Sequence, residues 1–171
     1  MRKLAIAGVL ALLWVLPASI PAFAGGNSST PCAPVPQPST CTYTQNLHGV
    51  VQTFPSNVPC VDPATGPPTG MLTLTSNEVF HVTVNRAGDG WITGTSEGSF
   101  SFTPFDPTRP SYTGHYTSWF GGSFNQKNLV FHDTFNVHGT GSDGSSLDFH
   151  MIDHFSISAS GVVLVFDKAS C

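Results

Sequence analysis

Charge is what this chain most lacks: Asp, Glu, Lys and Arg together make up 9% of its 171 residues, and only six of them are basic. Two of the six, Arg2 and Lys3, sit at the N-terminus, so from Gly25 onward Arg86, Arg109, Lys127 and Lys168 stand against ten Asp and Glu. No basic patch can form, which excludes nucleic acid and anionic membrane surfaces as electrostatic partners. No segment carries the 3.6-residue apolar period of an amphipathic helix. Metal and redox signatures are missing too. There is no CxxC and no HExxH, and the Asp- and Gly-bearing turns at Gly88 to Gly90 and Gly141 to Gly144 do not match the EF-hand spacing. No cofactor is expected.

The N-terminus reads as an export signal. After Arg2 and Lys3, an apolar run from Leu4 to Leu16 is broken by Pro17 and ends in Ala22-Phe23-Ala24, the small-x-small pattern of a signal peptidase site. The apolar run is shorter than the roughly 20 residues that a spanning helix needs. Residues 1–24 are therefore expected to form a cleaved signal helix. No Cys follows the cut to take a lipid, so the mature chain is expected to be secreted, extracellular and free of the membrane. Gly25 to Cys171 has the length of one domain. Its first part, residues 25–41, is a lead rich in Pro, Ser and Gly, and residues 42–171 are expected to form the folded domain.

All four cysteines lie in the exported part, where an even count argues for two disulfides. Three connectivities are open. Cys60 with Cys171 and Cys32 with Cys41 is preferred, because a meander that closes on itself brings its first and last strands together.

Strand signals fill the rest. Tyr43 to Phe54 reads as a first strand, followed by a Pro-rich loop from Pro55 to Gly70. Met71 to Asn85, Trp91 to Thr103 and Tyr112 to Phe120 alternate apolar with polar residues, the last ending at Gly121-Gly122. Leu129 to Gly139 and Leu147 to Ser158 form a hairpin, and Val162 to Asp167 is the final strand. The expected class is all-β: an antiparallel up-and-down β-barrel, which removes sheet edges, with a two-sheet β-sandwich as the alternative.

The hairpin permits a register argument. Leu129, Phe131, Phe135 and Val137 share one face of the first arm, and Leu147, Phe149, Met151, Phe155 and Ile157 share one face of the second. A Ser142-Asp143-Gly144 loop, with Gly at its left-handed position, makes these faces coincide. Asp133 then stands opposite Asp153 on the apolar face. Two facing carboxylates in low dielectric raise at least one pKa. The plainer reading is a hydrated polar layer. The sharper one makes Asp133 and Asp153 an acid–base pair or a grip for a cationic ligand.

On the other face the same register sets His132 opposite His154, with His115 as a possible third metal ligand if its strand is adjacent. Solvent-facing histidines are the preferred reading, and no zinc is expected. Nucleophilic catalysis is not expected either, since no GxSxG elbow or SxxK is read in the chain and a Ser-His-Asp triad is not recognisable without geometry. Tyr112, Tyr116 and Trp119, with His115, are candidates for an aromatic ligand rim, although such aromatics more often serve as core.

Tyr112-Thr113-Gly114-His115-Tyr116-Thr117 with Trp119, the Gly141 to Ser145 turn, His150 with His154, and the terminal Cys171 resemble a group of small secreted bacterial proteins. That resemblance implies no reaction. In architecture the expected barrel is similar to lipocalin-like and allene oxide cyclase or dirigent barrels, an analogy of fold alone. Three functions follow in order: binding of a small, largely apolar ligand, a structural or surface-interaction module with a filled barrel, and an extracellular hydrolase or cyclase using the Asp pair.

Because every cysteine is expected to be paired, titration of the unfolded, unreduced mature protein should detect no reactive thiol. Two or more would overturn the disulfide assignment.

Overall fold

The structure, a computed structural model, describes residues 32, 39–63, 66–125, 127–161 and 163–171. The expected signal segment and most of the lead lie outside the described residues. Seven strands follow one another: β1 (Cys41–Ser56), β2 (Gly70–Val84), β3 (Gly90–Pro104), β4 (Tyr112–Phe124), β5 (Asn128–Gly141), β6 (Ser146–Ser158) and β7 (Val163–Ser170). They form one antiparallel sheet in the order of the chain. The all-β meander is thus as expected, whereas the two-sheet sandwich is not seen. Nor is the sheet closed. β1 and β7 are its edges, and with seven strands they run in the same direction.

The pleat sends successive side chains to opposite faces. In β3, Phe100 and Phe102 are buried while Ser99, Ser101 and Thr103 are exposed. β1 departs from strict alternation. Leu47 pairs with Glu78 but Val50 pairs with Ser76, so His48 and Gly49 together oppose Asn77. Gly49 takes the left-handed conformation at φ 63° and donates its N–H to Asn77 Oδ1 at 3.2 Å. This bulge reverses the parity of the strand, so that Tyr43, Gln45 and Leu47 share a face with Val50, Gln52 and Phe54.

The upper rim of the sheet carries the β1–β2, β3–β4 and β5–β6 connections, and the core lies beneath it. Val58, Phe100, Phe102, Tyr112, Tyr116, Val137 and Leu147 form the buried cluster, flanked by Leu72, Leu74, Phe135 and Phe149. Val58 comes from the β1–β2 loop and plugs this end. The loop is held by Asp62. Its carboxylate accepts hydrogen bonds from Val58 N–H at 2.7 Å and Thr69 Oγ1 at 2.5 Å, and forms an ion pair with Arg109 of the β3–β4 loop. Burial pushes this carboxyl up, but the Thr69, Val58 and Arg109 contacts outweigh it and leave the pKa lowered.

Both expected disulfides are present, Cys32–Cys41 and Cys60–Cys171. The second requires curvature. In a flat sheet, six strand spacings would separate β1 from β7 by about 29 Å. The four residues from Ser56 to Cys60, the 5.7 Å between the bridged Cα atoms and the step back to Ser170 together reach no more than about 25 Å. The sheet curls, and the core cluster marks its concave side.

Aromatic rings lie over glycines of neighbouring strands. Phe100 of β3 reaches across Gly114 of β4 to Gly139 of β5, where an added Cβ would come 2.7 Å and 2.6 Å from its ring. Phe120 covers Gly94 in the same way. Gly121-Gly122 was expected to end β4, yet the ladder continues to Phe124. The His132 ring covers Gly121, and Phe131 and Ile92 flank Gly122, so neighbouring strands supply the packing these glycines lack.

A Cβ at Gly94 would collide with the Phe120 ring and lie 2.7 Å from the Val79 carbonyl oxygen, a backbone atom that cannot step aside. Gly94→Ala should destabilise the protein by about 1–3 kcal/mol in urea unfolding. Thr95→Ala, on the exposed face, should change stability by less than about 0.5 kcal/mol. Equal effects would remove the packing role given to Gly94.

Candidate functional site

Registered pairing from β2 to β7 lets side chains be read across the concave face in rows. One row runs Phe80, Gly94, Phe120, Asp133, Asp153, Asp167. Asp133 and Asp153 face one another as the hairpin argument requires, with Gly144 at φ 84° in the connecting loop. Asp167 of β7 extends them to a triplet. Its odd parity with Asp153 was the available signal, but the β6–β7 connection has no apolar pattern strong enough to set the register from sequence.

The three carboxylates differ in surroundings. For Asp133, burial pushes the carboxyl up, hydrogen bonds from Ser118 Oγ at 2.9 Å and from the Thr134 backbone pull it back, and Asp153 pushes it up again. The net direction is upward. Asp153 is also raised, by burial first and then by Asp167. It is 4% exposed, and its Oδ1 has no hydrogen-bond partner among the described residues. A buried acceptor without a donor is uncommon and costs about 1–3 kcal/mol.

The row borders a polar belt. Ser76 Oγ donates to Glu78 Oε1 at 2.8 Å, and Ser96 Oγ lies 3.2 Å from Tyr116 Oη. Above the belt the concave face is filled by the core. Below it, Phe120 packs against Phe80 and Phe131 with ring centroids 5.6 Å and 6.2 Å apart. Phe80, Phe131 and Phe155 remain only half-buried there.

Strand parity sorts the charges by face. Glu78, Asp133, Asp153 and Asp167 lie on the concave face of β2 to β7, and no Lys, Arg or His of these strands joins them. His81, His115, His132, His138, His150 and His154 are all on the convex face.

The candidate aromatic rim does not assemble, and the preferred reading of such aromatics as core holds for Tyr112 and Tyr116. Tyr112 and Tyr116 are buried in the concave core, whereas Trp119 and His115 point from the convex face, Trp119 being 48% exposed. Four residues divided between two faces cannot line one site. His132 and His154 do pair, and Trp119 packs on His132 at 5.0 Å between centroids. His115 pairs instead with His138, six residues from His132, or about 20 Å along the strand. Among the described residues no three His, Cys, Asp or Glu side chains are placed to hold a metal ion.

One motif escapes the sequence reading. Gly94-Thr95-Ser96-Glu97-Gly98 has the GxSxG spelling, but it lies inside β3 and not on a strand-to-helix elbow. Ser96 shares its hydrogen bond with Tyr116, and no histidine of the paired strands lies on its face. Its cross-strand neighbour is Glu78 of β2, and among the described residues no histidine stands beside it as the base of a nucleophile.

In comparisons with known proteins, no family model, curated protein or solved structure matches the chain.

Raised carboxyl pKa values make ionisation oppose folding. The contribution is fully present below the ordinary value of 3.8 and is lost as pH rises through the higher folded-state values. Asp133→Asn and Asp153→Asn should each stabilise the protein at pH 7, by about 1–2 kcal/mol, with the gain vanishing below pH ~4. Thermal unfolding across pH checks this. Loss of stability at pH 7 in both variants would show that the carboxylates act as ionised acceptors.

Proposed function

We propose that this is a secreted β-meander protein whose concave face binds a small, largely apolar ligand. The carrying observation is the contrast between the two halves of that face. The upper half is packed by Phe100, Phe102, Tyr112 and Leu147 and plugged by Val58, with Leu72, Leu74, Phe135 and Phe149 partly buried beside them, while below it Phe120 and Val84 are buried and Phe80, Phe131 and Phe155 are left half-open. Partly exposed aromatic faces gathered in a concavity are what an apolar ligand needs. In this reading the curled sheet works as an incomplete barrel, entered from its lower end and along the seam between β1 and β7. Paired cysteines and an absence of basic surface suit an extracellular carrier or scavenger of a small molecule.

A second reading rests on β7. Leu164 and Phe166 are 65% and 58% exposed on an unpaired edge strand, which favours a surface-interaction module. It ranks second because the strand is short. The enzyme reading ranks third, since the concave face carries acids but neither a histidine base nor an activated nucleophile.

Titration of the mature protein with a neutral solvatochromic dye should give saturable binding of about one dye per chain. Phe131→Asp should weaken it at least tenfold, and Trp119→Ala, on the convex face, should leave it unchanged. Absence of saturable binding, or loss with Trp119→Ala alone, would remove the concave-face reading.

A further inference from the structure

We propose that the aspartate row selects a ligand with a cationic head, a protonated primary amine, held by Asp133, Asp153 and Asp167 while its apolar tail lies on Phe120, Phe131 and Phe155. The inference rests on the concave-face reading and adds the chemistry of the head group.

Three observations converge. Cross-strand pairing sets the carboxylates side by side at successive strand spacings of about 4.8 Å on one face. Among the described residues no cation of the paired strands shares their face: Arg109 is committed to Asp62, Lys168 projects from the opposite face of β7, and His132 and His154 are on the convex side. Independently of this clustering, Asp153 is almost wholly buried with an oxygen that lacks a donor among the described residues, while Asp133 already accepts from Ser118 Oγ and the Thr134 backbone. The row is therefore rich in acceptors and short of donors.

An ammonium group supplies three donors and no acceptor, and its charge offsets the mutual repulsion of the carboxylates. An alcohol donates one hydrogen bond and leaves that repulsion in place. A carboxylate adds to it. A metal ion demands tighter convergence than three neighbouring strands provide here, whereas an alkylammonium reaches two adjacent carboxylates at once. Phe120 stands next to Asp133 in the row, with Phe131 and Phe155 in the row below, so that aromatic faces border the head group and receive the chain that follows it.

Calorimetric titration of the mature protein at pH 7 with decylamine, decanol and decanoate, each below its micellar concentration, tests the proposal. Decylamine should bind at least tenfold more tightly than decanol, with decanoate weakest. Asp153→Asn and Asp133→Asn should each bring amine and alcohol to within about threefold of one another, chiefly by weakening the amine. These variants remove repulsion, so loss of folding does not confuse the result. Equal affinity of amine and alcohol for the parent protein would overturn the head-group proposal and leave the apolar site standing. An amine preference that survives both substitutions would overturn the aspartate row as its source. Failure of all three compounds to bind would overturn the apolar site as well.

Discussion

The constraint on which the rest of this structure depends is in-register antiparallel pairing across β2 to β6. A pleated strand commits each residue to one face by parity, and a slip of one position would carry every side chain to the other face. With five long strands in continuous register, one hairpin therefore governs the whole sheet. The core, the aspartate row and the histidine-bearing convex face all follow from it. The bulge at His48-Gly49 is where parity is reset, and without it the second half of β1 would turn Val50 and Phe54 outward.

Register also explains the aromatic–glycine packing. A ring as large as Phe100 occupies more than its own position on a curved sheet, and it can lie flat only where Gly114 and Gly139 leave the surface bare. Glycines that would weaken an isolated strand become receptors for rings. The arrangement binds neighbouring strands by side-chain contact as well as by the backbone ladder, and it permits curvature without a helix to pack against.

Curvature and electrostatics meet on the concave face. The Cys60–Cys171 bridge and the Asp62–Arg109 pair draw the upper rim together around Val58. At the lower end the Cys32–Cys41 bridge fastens the start of β1, and Phe80, Phe131 and Phe155 are half-buried there. Between the two lies a belt that holds carboxylates without bases. Burial first, and neighbouring carboxylates second, disfavour ionisation of Asp133 and Asp153, so these two side chains oppose folding at neutral pH, the pattern expected where a fold retains a feature for something other than its own stability.

Much of this was legible in the amino-acid sequence. The all-β class, the meander and the facing of Asp133 with Asp153 follow from period-two alternation and one turn with glycine at its left-handed position, which are local signals. An even cysteine count indicated two disulfides, whereas the choice among three connectivities took the long-range premise that the first and last strands approach each other. Parity also separates Tyr112 and Tyr116 from Trp119 and His115, so the candidate rim was already divided by information in the chain. Other features depend on pairing between strands distant in sequence. The bulge needs β2 as a ruler, Asp167 joins the row only through the β6–β7 register, and His115 meets His138 and not His132 because of the β4–β5 register. Whether the meander closes is likewise a tertiary matter. Alternation tells a strand which face is buried but not how strongly the sheet curls, and curl is set by rings over glycines, a plugging loop and a bridge between residues separated by 111 positions.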